Sequence, residues 1–174
     1  MRLGASVVVA VAALAAAGGR SAIVPACRGG DLGGVFVVVQ GTAGAGGISY
    51  TLRLHNRSSA ACFVTGIPGL RLLGRAGAPL PTHVRPSHPG ALTAVRVVLK
   101  PGAYAAATAR FSPDVPGPGE PATKRQCEPT AYHLRVSPSG GGSVVVPISP
   151  PTPICEHGQL FMSVLVAGRR GPLS

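Results

Sequence analysis

The 174-residue chain has no tryptophan, only three tyrosines and four phenylalanines, and only five acidic residues. Each shortage excludes something. Without tryptophan there is no counterpart to the indole that packs on the inter-sheet disulfide of antibody-type domains. With few aromatics, a core must rest on Val, Leu, Ile and Ala, which bury less area per residue. The acids are Asp31, Asp114, Glu120, Glu128 and Glu156. Paired-carboxylate catalysis needs two acids flanking a cleft, and Asp114 and Glu120 fall in a proline-rich loop ill suited to fixed positioning. Glu128 and Glu156 each follow a cysteine directly, so their neighbourhood is the one place where an enzymatic site could form. A nucleophile elbow is absent, as is any sustained helical period. Beyond residue 27 every apolar run is strand-length and broken by Gly, Pro or Arg, so no later segment reads as a membrane span.

What is present begins with a leader. Met1-Arg2 supplies positive charge, residues 3–17 are uncharged and apolar, and Ala15-Ala16-Ala17 offers a small-x-small cleavage site. The expected organisation is a signal peptide over 1–17, a flexible mature N-terminus over 18–26, one domain over 27–168 and a tail over 169–174. All four cysteines, Cys27, Cys62, Cys127 and Cys155, lie in the part that survives cleavage. An exported chain meets an oxidising compartment, so an even set is read as two disulfides. No two cysteines fall within five residues of one another, which disfavours zinc. Four cysteines permit three pairings. Closure of local units favours Cys27 with Cys62 and Cys127 with Cys155.

The 25 glycines and 18 prolines punctuate short alternating segments, the signature of an all-β chain. Strands are expected over 35–40, 48–55, 62–65, 70–73, 92–99, 104–111, 131–136, 144–148 and 160–167. In 48–55, Ile48, Tyr50, Leu52 and Leu54 share one face and Ser49, Thr51, Arg53 and His55 the other. Residues 76–89 and 113–121 are rich in proline and cannot be central strands. About nine short strands without a helix to carry parallel crossovers predict two antiparallel sheets packed face to face, an immunoglobulin-like, disulfide-stapled β-sandwich.

Charge is lopsided, +11 at neutral pH. Anionic cell-wall polymers, lipid surfaces and another envelope protein are the partner classes this favours, with nucleic acid ruled out by export. No basic run exceeds two residues, so any basic surface has to be assembled by folding. Arg53 and His55 on one strand, His133 and Arg135 on another and Arg96 on a third would form an anionic-ligand face if those strands lay side by side. The histidines suggest no metal site and no cofactor is implied, because His83 and His88 share a flexible loop without a nearby acid. A monomer is expected.

A resemblance joins these pieces. Cys27-Arg28-Gly29-Gly30-Asp31-Leu32, Leu54-His55-Asn56, Cys62-Phe63-Val64-Thr65-Gly66-Ile67-Pro68, Leu99-Lys100-Pro101-Gly102, and finally Cys127 and Cys155 resemble the actinobacterial domain of unknown function 4232. The resemblance implies a secreted or lipid-anchored envelope protein and brings no catalytic residue. The chain lacks a separate lipidation cysteine upstream of Cys27, and lipidating Cys27 itself, which a proline precedes by two residues, would leave three cysteines and strand one thiol, so membrane anchoring is disfavoured. The expectation is a non-enzymatic binding or structural module with a basic surface. The alternative is an extracytoplasmic enzyme acting near Glu128 and Glu156.

Overall fold

The structure, a computed structural model, describes residues 23–44, 46–89, 95–121 and 127–172. The leader lies outside the described residues, as do residues 92–94 of the strand expected over 92–99. Among the described residues no helix is long and apolar enough to cross a membrane.

The described residues form eleven strands: β1 (Leu32–Val38), β2 (Ile48–Asn56), β3 (Cys62–Thr65), β4 (Gly69–Leu73), β5 (His83–Pro86), β6 (Arg96–Leu99), β7 (Tyr104–Phe111), β8 (Ala131–Ser137), β9 (Val144–Thr152), β10 (Gln159–Met162) and β11 (Val166–Ala167). The chain is all-β, as expected, but the arrangement corrects the sandwich reading. The main sheet runs β4-β8-β9-β1-β2-β7-β10-β5 without interruption, β11 also pairs with β7, and β3-β6 form a separate two-stranded sheet. β1 pairs with β9 in parallel, and β5 with β10. The sheet is therefore mixed, because long irregular connections return the chain without a helical crossover. Its two edges, β4 and β5, are consecutive in the chain. The intervening segment keeps them together: Leu80 N–H donates to Leu72 O at 2.9 Å and Leu72 N–H to Thr82 Oγ1 at 2.9 Å. The result is a nearly closed, barrel-like sheet rather than two sheets.

The core follows the alternation. Tyr50, Leu52 and Leu54 are fully buried on the inner face of β2, with Phe36, Leu134, Val136, Val146 and Leu160 from neighbouring strands. Phe36, Tyr50 and Phe111 form an aromatic cluster with Tyr50 centroids 5.1 and 5.2 Å from the other two. The Tyr50 hydroxyl donates to Pro150 O at 3.0 Å, which satisfies its one polar group.

Both disulfides join the expected partners, Cys27 to Cys62 and Cys127 to Cys155, with Cα atoms 4.8 and 5.4 Å apart. The N-terminal segment is tied to β3 further: Cys27 N–H donates to Phe63 O and Phe63 N–H to Pro25 O. At the other end, Gly171 crosses β7 so closely that a Cβ there would lie 2.4 Å from Thr108 N.

Candidate functional site

Two places gather polar side chains. The first is the outer face of β1, β2 and β7. Register aligns Val35 with Arg53 and Ala106, and Val37 with Thr51 and Thr108, while His55 lies opposite Tyr104. The segment after β11 folds back over this face. Gly168 takes φ of 107°, a left-handed turn open to glycine, and Arg169 then stacks its guanidinium 3.9 Å from the Tyr104 ring centroid. The His55 ring lies 5.2 Å from the same tyrosine. Between this segment and the strands runs an open groove of about 680 Å³, lined by Val37, Val39, Thr51, Arg53, Arg169 and Arg170 among others. Arg53 Nε is buried there without a hydrogen-bond partner. A buried, unpaired guanidinium N–H is costly and invites an acceptor.

The expected basic face is only partly brought together. Arg53 and His55 share β2, but β9 and β1 stand between β2 and the β8 residues His133 and Arg135. Arg135 lies opposite Arg71 of β4, a separate basic spot. Arg96, on the small sheet, donates to Val24 O at 2.8 Å and covers the Phe63 ring at 4.3 Å, so it holds the N-terminal segment. The partners that Arg53 does acquire, Arg169 and Arg170, stood in the expected tail. Their only signal in the sequence is that they form one of its two basic doublets.

The second place surrounds the Cys127–Cys155 disulfide. After Cys155 the backbone turns left-handed: Glu156, His157 and Gly158 have φ of 55°, 57° and 76°. Such geometry costs non-glycine residues roughly 1–2 kcal/mol each. Glu120 offsets it. Its carboxylate accepts from Gly117 N at 2.6 Å, Glu156 N at 2.9 Å and His157 N, an anion held in a nest of backbone donors. The Glu120 side chain is 1% exposed. Burial alone would raise its carboxyl pKa, but the three donors and His157 outweigh that and hold it below the usual value.

Glu128 comes to the same spot, carried by Cys127. Burial, then the adjacent Glu120 carboxylate, raise its pKa, with His157 acting the other way. Thus Glu128 is joined by Glu120 and His157, while the Glu156 carboxylate turns to accept from Gln159 Nε2 at 3.0 Å. Sequence reasoning placed Glu120 in a loop too loose to matter. It missed the nest because a nest depends on backbone conformation that no motif announces.

Residues 27–163 match the family model described as Domain of unknown function (DUF4232), and the chain belongs to that family. No curated protein and no solved structure matches the chain.

Proposed function

We propose that the protein is an extracytoplasmic binding module of the bacterial cell envelope, which engages an anionic ligand in the groove between β1, β2 and residues 169–171 and carries out no chemistry on it. The observation that carries this reading is Arg53, whose buried Nε lacks a partner beside two exposed arginines. Clustered guanidinium groups bind carboxylate or phosphate well because their planar forks match those anions. The half-buried valines give the groove an apolar wall beside its charge. Two disulfides support an oxidising compartment, and the engagement of Cys27 in one of them argues against its use as a lipid anchor. Against an enzymatic reading stands Glu156, whose carboxylate accepts from Gln159 Nε2 and is not part of the cluster that Glu128 forms with Glu120 and His157.

The test is retention of the exported protein on isolated, anion-rich cell wall across a salt series. Retention should fall as salt screens the charges, and Arg53→Glu with Arg169→Glu should abolish it. Unchanged retention in the double variant would overturn the groove as the binding site.

A further inference from the structure

Beyond the groove, three donor atoms converge beside the second disulfide. His157 Nδ1 stands 3.6 Å from Glu120 Oε1 and 3.7 Å from Glu128 Oε1, and all three lie within 4.8 Å of one another. The other ring nitrogen settles the tautomer. His157 Nε2 lies 3.0 Å from Pro118 O, and a carbonyl can only accept, so Nε2 carries the hydrogen. In the neutral ring Nδ1 is then a bare lone pair that faces two carboxylate oxygens. Neither oxygen is close enough for a hydrogen bond.

We infer that Glu120, Glu128 and His157 form a binding site for a divalent transition-metal ion of the zinc class. Nitrogen and oxygen ligands about 2.0–2.2 Å from zinc lie roughly 3.3–3.6 Å apart in a tetrahedral shell, close to the two separations observed here. An imidazole whose second N–H donates to a backbone carbonyl is oriented as metal-bound histidines are. One imidazole and two carboxylates suit zinc better than calcium, which takes six or more oxygens. Two carboxylates this close repel one another, and a divalent cation between them would offset that repulsion. His157 is 52% exposed and opens the site to solvent, leaving room for water as a further ligand. Glu120, though held by three backbone donors, keeps a free lone pair on Oε1, which accepts only from His157 N.

Calorimetry of the metal-stripped, disulfide-intact protein with zinc chloride, in a buffer free of phosphate, tests the site. One zinc ion should bind per chain, with magnesium chloride giving no heat. Loss of an outer partner of a metal ligand commonly weakens binding by about 10- to 100-fold, so loss of a ligand itself in His157→Gln or Glu128→Gln should cost at least about tenfold. His88→Gln, remote in the fold, should bind as the parent does. Circular dichroism must show each variant folded, and ¹⁵N spectra should place the zinc-induced shift on His157 Nδ1 while Nε2 stays protonated. Absence of saturable binding overturns the site, as does binding that survives both Gln substitutions or a shift on another histidine.

Discussion

Glu120 shows how one side chain can hold a backbone that other residues resist. Replacing it with Gln leaves the shape but removes the charge that three N–H donors address, and charge-assisted bonds of this kind are among the stronger ones. Glu120→Gln should destabilise the fold by about 2 kcal/mol in urea unfolding. Asn56 plays a comparable part at the end of β2. It is 1% exposed, donates to Ala60 O and Leu99 O at 2.7 and 3.0 Å, and accepts from Ser58 N and Oγ. Asn56→Ala strands those groups, and a loss of about 2–3 kcal/mol is expected by the same measurement. Tyr50 gives a pH-dependent effect. Burial raises its pKa above the ordinary 10.0, with a bond to Thr152 opposing. The folded state therefore keeps the proton after the unfolded chain has lost it. Stability from this group is complete below about pH 10 and falls as pH rises through the folded value. Thermal melts should show a shallower alkaline decline for Tyr50→Phe.

At the level of elements, β2 and β7 depart from a simple inside and outside. Ala105, Ala106 and Ala107 are all fully buried, and Thr51 and Thr108 are 8% and 5% exposed. Alternation predicts one buried face per strand, but residues 169–172 cover the other. Small side chains on β7 allow that close approach. Truncation after Gly168 should leave the sheet folded while it uncovers this face and removes two groove arginines. The expected result is a native-like circular dichroism spectrum with cell-wall retention lost. β5 makes the complementary point. The prolines of 76–89 predict a loop, yet β5 forms there as an edge strand, the place where a missing N–H is tolerated. Its contact with the left-handed turn depends on Gly158, where a Cβ would sit 2.0 Å from Pro81 O. Gly158→Ala should cost at least about 2 kcal/mol, since left-handed strain adds to the clash.

For the molecule as a whole, closure of the sheet leaves little exposed edge, and the disulfides fasten what the sheet does not. Cys27–Cys62 joins the N-terminal segment to the β3-β6 sheet, and Cys127–Cys155 joins the segment before β8 to the left-handed turn. They close loops with sequence separations of 35 and 28. Loss of each by paired Cys→Ser replacement should remove about 3–4 kcal/mol. The two losses should differ in consequence. The Cys127 and Cys155 pair should also abolish zinc binding, because it positions Glu128 against His157. The Cys27 and Cys62 pair should lower the melting temperature and spare the zinc site.

The sequence by itself determined the β character and most strand positions and favoured the two cysteine pairings that form, for a local physical reason. Alternation with a period of two, turn residues between strands and short loop closure are properties of neighbouring residues, and β3 and β7 occupy the very residues expected. It also singled out Arg53, His55, Glu128 and Glu156 as the residues to watch. Tertiary structure alone decided which of them meet. Strand order separated β2 from β8 and dispersed the expected basic face. Folding back of 169–172 brought Arg169 and Arg170 to Arg53. Left-handed backbone after Cys155 gathered Glu120, Glu128 and His157 from three stretches of chain. Such encounters depend on long-range register and on φ angles that nearby residue types leave open, so they come into being only when the sheet closes.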